Sequence, residues 1–452
     1  MSDDYGRRPR AVPRGRLARF GQFGRLAAGV AGGMMAESVR RLADGERPRL
    51  RDIMLTPGNI ATIVERLSHL RGAAMKLGQM ISLDAGDLLP AELTELMGRL
   101  REHAHHMPPA QLERVLTAEW GADWRKRLRS FDAEPMAAAS IGQVHQAVAL
   151  DGRRLAIKVQ YPGVAESIDA DVDNVATLLR VSSLLPGDLD IGALLAEAKR
   201  QLAEETDYVR EAGHLASFER LLAADAAVVV PQLVPELSTG RVLAMTYVEG
   251  DPIETLADAP QARRDTAMTR LISLVLREMF DFGIMQTDPN FANYRYQRDT
   301  GRLVLLDFGA VRRVAPATAE AYRAVIRAGL SGDRDGVRDA ALAAGFIGPA
   351  VVARHRKRVD GMIDVITGEF VRPGPFDFGN RRFVASLRDQ GLELAADRAN
   401  WHIPPADILF VQRKISGTAL LAARLRARVD MRELIAPYLR RVGSDERAVT
   451  LP

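Results

Sequence analysis

After Pro57 the apolar positions Ile60, Ile63, Val64, Leu67, Leu70, Ala74 and Leu77 recur at helical spacing, which predicts an amphipathic helix seeking a core or a surface. A second helix is predicted behind Pro90, with Leu93, Leu96, Met97 and Leu100 on its buried side, and a short one over Gln111 to Leu116. Upstream, Phe20 to Leu42 is small and apolar, and Gly29 and Gly33 stand at the spacing that lets helices approach closely. Near Phe131 the period changes to two. Ile141, Val144, Ala147 and Val148, then Leu155, Ala156, Ile157 and Val159 across Asp151-Gly152, predict a β-hairpin. Helical periodicity returns from Ala170 to Leu185 and from Ile191 to Phe218, while Val228 to Val230 and Val242 to Tyr247 read as short strands. From Asp251 onward the pattern is helical, apart from a strand pair around Asn293 to Tyr296 and Leu303 to Leu306. The predicted order is a flexible arm (1–25), a helical extension (26–129), a mixed α+β lobe (130–250) and a mostly helical lobe (251–445).

Composition narrows this picture. A chain of 452 residues with 47% hydrophobic and 27% charged residues is ordinary globular protein, so a disordered or fibrous chain is excluded. A net charge of +4 over that length gives no reason to expect a nucleic-acid partner. Without cysteine there is no disulfide scaffold, thiolate metal site or cysteine nucleophile. The most apolar segment, Leu26 to Ala36, is too short to span a bilayer. The arm carries Arg7, Arg8, Arg10, Arg14, Arg16, Arg19 and Arg25, which suit either a solvated tail or anionic lipid headgroups. The first 25 residues lack the leucine-rich block of a secretory signal, and Asp3 and Asp4 count against a mitochondrial presequence, so a cytoplasmic protein is expected.

Lysine is scarce against a large excess of arginine, so a lysine inside a patterned strand carries information. Lys158 ends the apolar run Leu155-Ala156-Ile157. An ammonium there needs anionic partners, because burying it unpaired is costly, and a nucleotide phosphate with a carboxylate is the natural pair. Taken alone, a lysine snorkelling from a strand edge explains it as well. Gln286-Thr287-Asp288-Pro289-Asn290-Phe291-Ala292-Asn293 changes that balance. It places an Asp and an Asn five residues apart, and Asp307-Phe308-Gly309 follows behind the strand Leu303 to Leu306. Phosphoryl transfer needs an acid near the attacking hydroxyl and oxygen ligands for Mg²⁺. Asp, Asn five on, then Asp-Phe-Gly after a strand is the protein-kinase order. Where a glycine-rich phosphate loop is expected stands Ala137-Ala138-Ala139-Ser140-Ile141-Gly142-Gln143, which by itself would pass for a helix start. Alanine reaches the φ > 0 conformations of such loops only at a cost.

These stretches, with Lys76-Leu77-Gly78-Gln79, Glu205-Thr206-Asp207 and the Val144-His145 that follows the alanine loop, resemble the UbiB family of atypical kinases, the aarF-domain kinases linked to ubiquinone biosynthesis. The resemblance runs from about Phe20 to Tyr438 and is closest to the ubiquinone-biosynthesis ATPase branch, which shares Phe376-Asp377-Phe378-Gly379. It implies a two-lobed protein-kinase-like α+β fold, with 130–250 and 251–445 as the lobes. It further implies that Ala137 to Gln143 cradle ATP and that Lys158 binds the α/β-phosphates while paired with Glu205, Glu211 being a substitute. Met245 to Gly250, including Val248, would be the hinge beside the adenine. Asn293 and Asp307 would ligate Mg²⁺, and Asp288 would stand at the position of the catalytic base. Lys76 and Gln79 would lie on a helix folded over the site, with Lys76 able to meet Glu205, Asp207 or the nucleotide.

Two departures bear on mechanism. Thr287 stands where ordinary kinases carry an Arg before the catalytic Asp, and no Ala-Pro-Glu segment follows Asp307. Both reduce the case for phosphorylating other proteins, and the resemblance implies instead an Mg²⁺-dependent ATPase supporting isoprenoid-quinone synthesis, peripheral on the inner face of a membrane. Its partners would be ATP, anionic lipid, and quinone precursors or quinone-biosynthesis proteins, with a homodimer left open. The alternatives are a protein or small-molecule kinase, a non-catalytic nucleotide-gated scaffold and a purely lipid-binding protein. His103, His105 and His106 read as linker, Trp120, Trp124 and Trp401 as packing aromatics, and Arg354 to Arg358 as a charged helix face.

Overall fold

The computed structural model describes residues 106–139, 141–181, 192–288, 290–380 and 404–440. The arm, the extension up to residue 105 with Lys76, Gln79, His103 and His105, and Ser140, Pro289 and Trp401 lie outside the described residues. The chain divides into two compact units. Among the described residues the first reaches Gly213 and includes Gln232–Tyr247; the second holds His214–Pro231 and continues from Val248.

In the first unit, helix α1 (Pro109–Trp120) begins at a proline suited to the first helical position and stops at Gly121, where φ is +88°. Its apolar stripe Leu112, Val115, Leu116 and Trp120 is buried. The stripe joins Trp124, Leu155, Ile157, Val159, Val242 and Ala244 in one core. Strands β1 (Leu128–Ala138), β2 (Gly142–Ala149), β3 (Arg154–Gln160) and β5 (Val242–Thr246) form an antiparallel sheet in the order β1-β2-β3-β5. Gly152, at φ +90°, turns the predicted hairpin, and the Asp151 carboxylate accepts from the Arg153 amide at 2.9 Å. Because strand side chains alternate, Leu155, Ile157 and Val159 enter the core and Lys158 takes the other face of β3.

Helices α2 (Ile168–Val181), α3 (Gly192–Glu205) and α4 (Tyr208–Leu221) follow. The continuous helix predicted over Ile191 to Phe218 is thus two helices. Asp207 makes the break: its Oδ1 accepts from the Arg210 amide at 2.9 Å, the capping contact that starts α4. Gln160 at the end of β3 donates to the Thr206 carbonyl at 2.9 Å and holds the break against the sheet.

The second unit contains the sheet β4-β9-β8-β6, built from β4 (Val228–Val229), β6 (Asp251–Pro252), β8 (Tyr294–Tyr296) and β9 (Leu303–Leu305). β4 pairs with β9 in parallel, which draws His214–Pro231 into this unit instead of leaving it in a contiguous 130–250 lobe. Helix α5 (Gln261–Arg277) runs into a π-helical turn, Glu278–Phe282, closed by Gly283 at φ +64°. The chain then enters β7 (Ile284–Gln286), antiparallel to β10 (Val311–Arg313). Neither three-residue strand was predicted, since so few residues show no period. Gly301, at φ +70°, donates to the Gln297 carbonyl at 2.7 Å in the turn between β8 and β9. The remainder is mostly helical: α6 (Pro316–Leu330), α7 (Arg334–Ala343), α8 (Pro349–Val371), α9 (Ala406–Leu425) and α10 (Met431–Arg440), with β11 (Phe376–Asp377) paired to β12 (Arg428–Val429). The charged run Arg354 to Arg358 lies in α8, which kinks at His355 (φ −126°, ψ 29°).

Candidate functional site

The first unit carries one half of the predicted chemistry. Lys158 stands in the middle of β3, opposite Val144 of β2 and Leu243 of β5. Its Nζ donates to both carboxylate oxygens of Glu211, at 2.8 and 2.9 Å, and lies 5.0 Å from the Tyr208 ring centroid. Lys158 is 9% exposed and Glu211 2%, so the pair is buried. Glu211 lies in the first turn of α4, where the positive end of the helix dipole favours a carboxylate. This corrects the first choice of partner: Glu205 ends α3 on the near side of the break, and Asp207 is engaged in capping α4.

The alanine loop joins two strands and does not start a helix. Ala137 and Ala138 end β1, and the Ala139 amide donates to the Gly142 carbonyl at 2.9 Å, closing a tight connection into β2. Gly142 is required by close approach: a Cβ there would lie 2.4 Å from the Val159 carbonyl oxygen and 2.9 Å from the Tyr208 hydroxyl. Ile141 is buried, and its carbonyl accepts from the Tyr161 amide at 2.9 Å. Gln143 is also buried, and its side chain is committed to the interior. Its Oε1 accepts from the Met107 amide at 2.7 Å and its Nε2 lies 2.8 Å from His145 Nε2. The Asp132 carbonyl, 2.9 Å from His145 Nδ1, can only accept, so Nδ1 carries the proton and Nε2 accepts from Gln143. Burial pushes the His145 pKa down to about 4, against the backbone contact to Asp132. A neutral histidine thus braces the loop from beneath, a role its sequence position did not reveal. Met245, in the predicted hinge, is a buried β5 residue opposite Ala156, and Val248 is the first residue of the resumed second unit.

The second unit carries the other half. The Thr287 amide and hydroxyl both donate to the Ala310 carbonyl, at 2.9 and 2.7 Å. At the far end of the loop the Leu306 amide donates to the Asn293 carbonyl at 3.0 Å. These two ties hold 287–293 alongside 306–310, so Asn293 and Asp307 stand at neighbouring positions where β8 and β9 begin and end. The Asp288 carbonyl accepts from Gln286 Nε2 at 2.9 Å and from Asn293 Nδ2 at 3.4 Å. The Asp288 carboxylate accepts from the Asn290 amide at 3.3 Å, and Asn290 caps the next turn by accepting from Ala292 at 3.1 Å. Asp307 Oδ1 accepts from the Gly309 amide at 2.9 Å. Phe308 is buried, its ring 5.2 Å from that of Phe218 and its carbonyl 3.2 Å from His214 Nδ1.

The donors at this end suit a hard cation. With the Asn293 amide nitrogen turned to the Asp288 carbonyl, its Oδ1 is the group left for a ligand, and Asp307 brings a carboxylate. One carboxylate and one amide oxygen, completed by phosphates and water, are what Mg²⁺ takes. No group of three or more His, Asp or Glu side chains able to hold a metal occurs among the described residues.

A family model described as the ABC1 atypical kinase-like domain matches residues 99–341. The chain is 38% identical over 457 residues to the mitochondrial atypical kinase COQ8B of Rattus norvegicus, covering 98% of this chain and 84% of that protein. It is 38% identical over 429 residues to the mitochondrial atypical kinase COQ8 of Saccharomyces cerevisiae, covering 94% of this chain and 85% of the other. Among solved structures, Rv3197 of Mycobacterium tuberculosis in complex with erythromycin matches with a TM-score of 0.58 and 26% identity, over 82% of this chain and 93% of that one.

Proposed function

The chain belongs to the ABC1 atypical kinase-like family, the UbiB proteins, with a kinase-like α+β fold, and on that premise we propose that it binds ATP with Mg²⁺ and hydrolyses it in support of isoprenoid-quinone synthesis. The observation that carries this reading is the buried Lys158–Glu211 pair. A cation held on a sheet by a dedicated carboxylate is pre-oriented for phosphate oxygens and pays little side-chain entropy on binding. In this reading Lys158 holds the α/β-phosphates beneath the Ala137–Gly142 connection, and Asn293 and Asp307 hold Mg²⁺. Bound Mg²⁺ would neutralise charge on the phosphate oxygens. Asp288 accepts the proton of the attacking water as its oxygen bonds to the γ-phosphorus and the bond to the β-phosphate oxygen breaks.

Water is preferred to a protein hydroxyl as acceptor. Thr287 fills the place of the Arg that reads activation-loop phosphorylation, and after Gly309-Ala310 the chain enters β10 and then α6 with no activation segment between. Anionic lipid and quinone precursors are the proposed partners, with the protein peripheral on a membrane. No helix among the described residues is long and apolar enough to cross one. The test is phosphate release by purified wild type and Asp307→Asn, with and without anionic liposomes carrying a quinone-precursor analogue. Free phosphate that depends on Asp307 and rises with the liposomes is expected. Radiolabelled γ-phosphate recovered on a lipid or protein would establish the kinase alternative, and ATP binding without turnover the scaffold.

A further inference from the structure

Lys414, on α9, is 1% exposed and belongs to none of the motifs above. Its ammonium donates to the Tyr294 hydroxyl at 2.8 Å and to Gln286 Oε1 at 2.9 Å, and lies 3.4 Å from Glu278 Oε2. Glu278 sits where α5 passes into the π-helical turn, and its Oε1 accepts from the Gln286 amide at 3.4 Å. All four side chains are buried. A π-helical turn is an uncommon element that recurs at functional sites, and here it places a carboxylate beneath β7.

The consequence lies in the direction of the Gln286 amide. Lys414 has only donors, and the Tyr294 hydroxyl donates to the same oxygen at 3.3 Å, so Gln286 Oε1 must face them. Gln286 Nε2 is thereby turned the other way, onto the Asp288 carbonyl at 2.9 Å. That carbonyl also receives Asn293 Nδ2 at 3.4 Å. A buried cation therefore fixes one amide, and the amide fixes the backbone shared by Asp288 and Asn293. Glu278 supplies the carboxyl group that faces the ammonium, 3.4 Å away. Burial works against the Lys414 charge, but Glu278 and Tyr294 outweigh it and leave its pKa raised.

We propose that Lys414 is a positioning residue for phosphoryl chemistry, holding the Asp288–Asn293 loop through Gln286 from a helix more than a hundred residues downstream. This rests on the reading of Asp288 and Asn293 given above.

The experiment compares full-length wild type with two variants. Lys414→Met/Glu278→Gln removes the buried charges together while keeping volume. Gln286→Glu keeps a partner for Lys414 but loses the donor to Asp288. Melting temperature, ATP turnover and amide exchange of a peptide spanning 286–293 are measured. Expected are cooperative melting, faster exchange in 286–293, and kcat at least tenfold lower with KM for ATP within about twofold, in both variants. Unchanged exchange in a Gln286→Glu protein that melts cooperatively would overturn the proposal, whatever the turnover. Faster exchange with unchanged kcat would overturn it too. If wild type shows no Asp307-dependent phosphate release, the ATPase reading fails separately, and exchange still decides whether Lys414 holds the loop.

Discussion

Lys158 Nζ donates to both oxygens of the Glu211 carboxylate, and the two side chains are buried together on one face of the first sheet. Removing one partner of such a pair leaves an uncompensated buried charge, which costs about 3–5 kcal/mol. Glu211→Gln is therefore expected to lower stability by that order in chemical denaturation and to weaken ATP binding. Lys158→Met/Glu211→Gln should regain much of the stability while ATP binding stays lost. Nucleotide affinity at wild-type level in the double variant would remove Lys158 from the site.

Asp307 uses Oδ1 to receive the Gly309 amide, a bond that asparagine can also make. Asp307→Asn should melt like wild type, because only the charge changes. Turnover should fall by about 10²–10³, the scale of losing one electrostatic group aimed at a transition state. Phosphate release at saturating Mg²⁺ is the measurement.

Gly142 tolerates no added carbon, since the nearest atom is the Val159 backbone oxygen, which cannot rotate away. Gly142→Ala should destabilise the protein by about 1–3 kcal/mol, the usual cost of overpacking. Ala139→Gly, at a residue outside that contact, should change stability far less. Urea denaturation of the two proteins distinguishes them.

His145 is neutral in the folded protein, its pKa lowered by burial from 6.5 to about 4. Between those values the unfolded chain binds a proton that the folded one refuses, so stability rises with pH there. Its contribution is intact above pH 6.5 and is lost as pH falls towards 4, a fall of roughly 3 kcal/mol when complete. Unfolding free energies of wild type and His145→Asn at pH 7 and pH 4.5 should show a shallower slope in the variant. Equal slopes would mean that His145 takes up its proton in the fold as readily as in the unfolded chain.

Much of this architecture was legible before any coordinates. Alternation along Leu155-Ala156-Ile157-Lys158-Val159 marked a strand whose lysine needs an anionic partner, and Asp151-Gly152 demanded a turn. The spacing of Asp288, Asn293 and Asp307 placed them around a strand pair, and β8 and β9 are that pair. The kinase-like fold was implied by the family resemblance, and that rests on short ordered motifs whose meaning is local.

What the linear pattern left undecided involves partners far apart in the chain. The motif favours Glu205 over Glu211 as the partner of Lys158, but Asp207 caps α4 and Gln160 binds the Thr206 carbonyl, which together decide where the helix breaks. Gln143 sits in a phosphate-loop position, yet Met107 and His145 claim its amide. Lys414 carries no local signature, because its neighbours in sequence are those of any amphipathic helix. Its role exists only where α9 meets Glu278, Gln286 and Tyr294 in the interior. There an unpaired charge is prohibitive, so folding must match each polar group to a partner that no periodicity encodes.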